Sequence, residues 1–66
     1  MTEPLQWVLF TCEARTGKLV SGQYIVKDGV LFVRDPCGAA AAEPLREDLS
    51  VFELACRMLR ELYGGL

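Results

Sequence analysis

The chain has no histidine, and its three cysteines (Cys12, Cys37 and Cys56) contain no C-x-x-C pair. Without imidazole there is no Ser–His or Cys–His couple. Without clustered Cys or His, the common zinc frameworks are excluded. No metal or other cofactor is therefore expected, and no enzymatic activity. The odd cysteine count argues against disulfides. So does the start, Met-Thr-Glu-Pro-Leu-Gln-Trp, which lacks the basic stretch of a secretion signal. Both point to reduced thiols and a cytoplasmic location. No apolar run approaches the roughly 18 to 20 residues of a membrane span, so no membrane partner is expected. Charge is not massed in either sign: seven Lys and Arg stand against nine Asp and Glu, a net charge of −2. A nucleic-acid binder normally shows a clear basic face, so none is expected as a partner. A phosphate loop is missing too. Gly17-Lys18-Leu19-Val20 lacks the upstream glycine and the hydroxyl residue of that motif.

What the chain does have is apolar surface. Its 66 residues make one domain, near the lower limit of size at which a core alone sustains a fold. Small domains have much surface to keep wet, yet 52% of these residues are hydrophobic and only 24% charged. With metals and disulfides set aside, self-association is the remaining device.

The clearest local signal is Asp28-Gly29, placed between the alternating runs Lys18 to Lys27 and Val30 to Asp35. A type I′ turn needs positive φ at both central residues, and Asp-Gly supplies it, so a two-residue hairpin of fixed register is predicted. Gln6 to Ala14 is rich in β-branched and aromatic residues and reads as the preceding strand. Arg15-Thr16-Gly17 fits a three-residue hairpin loop with a glycine bulge. Asp35-Pro36-Cys37-Gly38 repeats that turn logic and predicts a fourth strand over about Ala39 to Glu43. The alternative there is a small-residue connection, since four alanines are poor strand formers. Ser50-Val51-Phe52-Glu53 is a capping box, with Leu49 and Leu54 placed as a hydrophobic staple. It opens a helix over about residues 51–63, which Gly64-Gly65 closes. The fold class is thus α+β: an antiparallel meander of three or four strands with one C-terminal helix packed on one face.

The hairpin register sorts side chains onto two faces. Val8, Phe10, Cys12, Ala14, Val20, Tyr24, Val26, Leu31 and Val33 share one face. The helix is expected to cover it through Phe52, Ala55, Cys56, Leu59, Leu62 and Tyr63. The opposite face carries Trp7, Leu9, Leu19, Ile25, Val30 and Phe32 among polar residues, where a solvated sheet face should be mostly polar. The helix has a similar surplus. Its charged residues span about 100° of the wheel and leave roughly 200° apolar, including Val51, Leu54 and Met58. These two excesses mark Trp7, Leu9, Leu19, Ile25, Val30, Phe32, Leu54 and Met58 as candidate interface residues. A homodimer is the preferred state, and a tetramer using both surfaces the alternative.

Other chemistry-bearing residues have plain readings. Cys37 sits in an exposed turn with no base beside it, and Asp35 disfavours its thiolate. Glu43, Glu47 and Asp48 precede the helix, where negative charge suits its dipole. Glu13 reads as a solvated strand-end residue, the alternative being an interfacial group that pairs with Lys18, Lys27 or Arg34.

The run Gly17 to Val33 (G-K-L-V-S-G-Q-Y-I-V-K-D-G-V-L-F-V), the Pro-x-Gly turn and a final helix ending L-R-E-L-Y resemble a group of short uncharacterised bacterial proteins. These are strand-turn-strand sequences with a C-terminal amphipathic helix. The resemblance implies a bacterial or prophage setting and no activity, and it carries over no functional residue. Ala39 to Ala42 depart from its polar strand after the turn. Together these features lead to the expectation of a non-enzymatic, self-associating module that binds a protein partner. The alternative is a small-ligand or enzyme-accessory protein, with a site formed at the oligomer interface by Trp7, Phe32 and Arg34 or Lys27.

Overall fold

A computed structural model describes residues 6–64 of the chain. Four strands, β1 (Val8–Glu13), β2 (Leu19–Lys27), β3 (Val30–Arg34) and β4 (Ala40–Pro44), precede one helix, α1 (Val51–Leu62). The strands form an antiparallel sheet in the order β1-β2-β3-β4, so each pairs with its chain neighbour. This is the α+β meander the sequence predicts, with the fourth strand present.

The Asp28-Gly29 turn sets the register. Asp28 has φ 53° and Gly29 φ 74°, the positive pair that a type I′ turn requires. Tyr24 then faces Val33 and Val26 faces Leu31. The turn into β4 is held by Asp35, whose Oδ1 accepts the Cys37 and Ala39 N–H groups, both at 2.9 Å. That side chain supplies the turn's hydrogen bonds. It lets Ala39–Ala42 enter the ladder although their own strand propensity is low.

Phe10, Cys12, Leu31 and Val33 of the sheet and Leu54, Ala55, Cys56, Met58 and Leu59 of α1 form the core. Here the sequence expectation for the helix is corrected. Leu54 and Met58, taken as surplus apolar surface, are each only 1% exposed, whereas Phe52, expected beneath the helix, is 54% exposed. The presence of β4 gives the reason. The sheet is wide enough that α1 lies chiefly over β3, flanked by β2 and β4. Ala41 of β4, small and opposite Val33, packs against that core. The arc turned to the sheet is Val51, Leu54, Ala55, Met58, Leu59 and Leu62, a regular i, i+3, i+4, i+7 series. Phe52 falls outside it and meets the edge of Phe10 instead, with ring centroids 6.4 Å apart.

Cys12 and Cys56 are paired in a disulfide across the sheet–helix contact, with Cα atoms 5.7 Å apart. The expectation of three reduced thiols is overturned. The physical cause is tertiary: the packed helix brings Cys56 next to Cys12 near the end of β1, joining residues 44 apart in sequence. Cys37 is the exposed free thiol, as expected.

The helix start follows the capping box in one arm only. Glu53 N–H donates to Ser50 Oγ at 3.1 Å. The return arm differs from the standard box: Ser50 Oγ–H donates to Glu53 Oε1 at 3.3 Å. Replacing Ser50→Ala leaves the Glu53 N–H without its side-chain acceptor, with an expected loss of about 1 kcal/mol. Urea unfolding of the variant measures it, and an unchanged midpoint would show that water caps this end equally well. At the other end Arg60 Nε donates to the Glu13 carbonyl (2.9 Å) and Tyr63 O–H to the Ser21 carbonyl (3.1 Å). Both ends of α1 are therefore tied down, one through its cap and staple and the other to β1 and β2.

Candidate interaction surface

The face of the sheet opposite α1 is covered by no other described element. Its side chains stand in rows across the strands. Ile25 pairs directly with Phe32, which pairs with Ala42. One row along, Leu9 pairs with Gln23, Gln23 with Arg34, and Arg34 with Ala40. Alternation along each strand places these groups together, and the hairpin register keeps them so.

Arg34 organises the centre of this face. Its Nε donates to Gln23 Oε1 at 2.9 Å. Its guanidinium carbon lies 4.0 Å from the centroid of the Trp7 ring. A cation over an indole face is favourable by about 0.5–1 kcal/mol at an exposed site. The hydrogen bond fixes the guanidinium plane, so Trp7, Gln23 and Arg34 are held in one arrangement in the isolated chain. Arginine and tryptophan are also the side chains most enriched at the energetic centres of protein interfaces.

Of the six residues placed on this face from the sequence, Trp7, Ile25, Val30 and Phe32 are half-buried by one another and by their neighbours. Leu9 is 71% exposed and borders the cluster. Leu19 is 74% exposed but stands apart. It pairs with Glu13 at the far end of β2, with Ser21 and Gln23 between it and Ile25. Leu54 and Met58 lie on the other side of the sheet, within the core, and leave the candidate set.

Sequence reasoning missed two features. It groups Arg34 with Trp7 and Phe32 only as part of a site at an oligomer interface, although its position two strands from β1 on the same face allows it to reach Trp7 within one chain. On the helix side, Phe52, Val8 and Val26 are exposed. The i, i+3, i+4 series of α1 already excludes Phe52 from the buried arc.

A shallow pocket of about 190 Å³ opens on the outer face, lined by Leu9, Ser21, Gln23, Arg34, Asp35 and Pro36 with the backbone of Gly22. It is smaller than the roughly 300–1,000 Å³ usual for small-molecule sites, and neither Trp7 nor Phe32 lines it. Among the described residues no cluster of His, Cys, Asp and Glu is arranged to hold a metal ion. No helix among them is long and apolar enough to cross a membrane.

Comparison with family models, with curated proteins and with solved structures found no match. The surface must be read from its own geometry.

Electrostatics near it are mild. Among the described residues the ion pair formed is Arg46–Asp48, at 2.8 Å. The Arg46 guanidinium, hydrogen-bonded to Asp48, holds that carboxyl below its ordinary range. The pair belongs to the exposed β4–α1 connection, remote from the Trp7 cluster. Among the described residues Glu13 forms no ion pair, in keeping with a solvated strand-end position.

Proposed function

We propose that this chain is a non-enzymatic, self-associating protein-interaction module whose outer sheet face is the contact surface. The observation that supports this most is the Trp7–Gln23–Arg34 cluster, pre-arranged on an uncovered face beside Ile25, Phe32 and the exposed Leu9. Prearrangement matters because side-chain ordering is a principal cost of association, and here it is already met. The occupant is a second copy of the chain, in a homodimer. The face carries both signs, with Arg34 near its centre, Lys27 toward one end and Glu13 toward the other. A twofold axis running across the strands sets the Lys27 end of one copy against the Glu13 end of the other.

The small-ligand reading at this face has weaker support, since the pocket on the outer face of a single chain is small and its lining lacks the two aromatic residues. The bacterial or prophage setting rests on the turn and helix motifs alone. The Cys12–Cys56 pair bears on location. A disulfide persists in an oxidising compartment, while in the cytoplasm expected from the sequence the same residues are reduced.

Light scattering across a dilution series tests the reading. Wild type is expected to exceed the monomer mass, and Phe32→Glu, which places a carboxylate amid Ile25 and Ala42, to weaken association by about 2 kcal/mol or more. A wild type that stays monomeric at every concentration would sink the proposal.

A further inference from the structure

Among the described residues, each end of the sheet leaves one strand with an unpaired side, and the two edges differ. In β1, Ala14 N–H donates to the Lys18 carbonyl, and the register continues from that pair. Antiparallel ladders alternate, so Cys12, Phe10 and Val8 turn their backbone groups toward β2. Leu9, Thr11 and Glu13 turn theirs outward. In β4, Asp35 N–H donates to Ala39 and Leu45 N–H to Gly29, so Ala40, Ala42 and Pro44 face outward. Proline has no N–H, and Pro44 blunts that edge. β1 has no proline within it. Arg60 occupies its Glu13 carbonyl, and among the described residues the outward N–H and C=O groups of Leu9 and Thr11 form an open template.

Exposed apolar groups gather along this same edge on both faces: Leu9 on the outer side, Val8 and Phe52 on the helix side. A contact confined to the outer face covers only the first of these. A contact at the edge reaches both sets.

We propose that β1 pairs antiparallel with β1 of a second copy, about a twofold axis at Phe10, and so doubles the four-stranded sheet. This rests on the self-association reading above and adds a second contact to it. Charge selects the register. With the axis at Phe10, Leu9 faces Thr11 of the other copy and Trp7 faces Glu13. The Glu13 carboxylate then lies beside the other copy's Trp7–Arg34 stack, supplying a counter-ion that Arg34 does not have among the described residues of its own chain. An axis at Thr11 sets Glu13 against Leu9 instead. An axis at Leu9 carries Glu13 beyond Trp7. The pairing is self-complementary, as a twofold contact must be, which favours a second copy over a foreign strand.

The area of the outer face argues the same way. Four strands about 4.8 Å apart, each about six residues of roughly 3.3 Å, give a planar area of roughly 400 Å². A stable interface needs about 800 Å² per partner. Edge pairing doubles the outer face to roughly that size. Two doubled sheets stacked on it form a closed tetramer.

Residue-resolved amide hydrogen exchange, read together with light scattering at low and high concentration, tests this. In the wild type, the outward amides of Leu9 and Thr11 are expected to gain roughly tenfold or more protection as concentration rises. Those of Phe10 and Cys12, bonded to β2, stay protected throughout. Thr11→Pro removes an edge N–H where proline is tolerated. It is expected to weaken edge association roughly tenfold or more while keeping Phe10 and Cys12 protected. Phe32→Glu is expected to keep the concentration-dependent protection at Leu9 and Thr11. If the wild type associates while Leu9 and Thr11 exchange freely at high concentration, the edge contact is wrong and the outer-face reading stands. If Thr11→Pro folds and associates as wild type does, the edge contact falls as well. A wild type monomeric throughout overturns both.

Discussion

Reduction of the Cys12–Cys56 bridge is expected to lower the unfolding free energy by about 2–4 kcal/mol. The bridge closes a loop of 44 residues, two-thirds of the chain. In the chain-entropy account, the removal of so long a loop from the unfolded ensemble is worth about 4 kcal/mol. Against it stands the small total for a domain of this size, about 3–10 kcal/mol at typical stability per residue. The bridge therefore decides between a folded and a marginal chain. Urea unfolding with and without a phosphine reductant measures the effect. Thiol titration in denaturant should find one reactive group before reduction and three after. Cys37→Ser, which removes the exposed thiol, is the control for disulfide exchange. Equal midpoints in the two conditions would show that the sheet–helix core holds without the bridge.

The second large effect is expected at Gly22. A Cβ there would stand 2.7 Å from Leu59 Cδ1 and 2.9 Å from the Arg34 carbonyl oxygen. Leu59 is fully buried, and the carbonyl belongs to the backbone of the β2–β3 ladder. Gly22→Ala is therefore expected to destabilise by about 1–3 kcal/mol as overpacking, despite alanine's lower entropic cost in the unfolded chain. Gly22→Val should cost more. A Gly22→Ala, Leu59→Ala double variant is expected to lose less than the sum of its single changes, because the second change removes the clash of the first. An additive pair would place the conflict with Arg34 rather than with the helix. In the sequence Gly22 looks like a weak point in a strand. In the fold it is where Leu59 of the helix packs against the β2 backbone, with no room for a Cβ.

The uneven legibility of this chain has identifiable causes. The hairpin at Asp28-Gly29, the three-residue turn at Gly17, the capping serine and the sorting of side chains onto two faces were readable because each depends on residues only a few positions apart. The fourth strand was harder, since Ala39–Ala42 carry little strand preference. Their place is set by the Asp35 side chain and by pairing with β3. The error in the helix followed from that uncertainty. A three-stranded sheet would suit an arc centred nearer Cys56, whereas four strands draw the helix over β3 and bury Leu54 and Met58. The i, i+3, i+4 series from Val51 to Leu62 held the correct answer, and the charged residues were the poorer guide.

The candidate surface shows the same division. Alternation placed Trp7, Leu9, Ile25, Val30 and Phe32 on one face, and the ladder joins most of them. It also placed Leu19 there, which the rows of the sheet separate from the rest. The Trp7–Arg34 stack was not readable, because it depends on two side chains reaching across β2.

From the sequence alone came the α+β class, the strand order, the hairpin register, the helix start and the contents of the two faces. Each rests on φ/ψ preference, a cap or a period of two, interactions that act within a few residues and survive without a finished core. The tertiary structure alone decided the rotation of α1, the Cys12–Cys56 pairing, the close approach at Gly22 and the fixing of Arg34 on Trp7. These join residues from 11 to 44 or more positions apart. Their contacts exist only once the sheet has its full width and the helix has found its place on it.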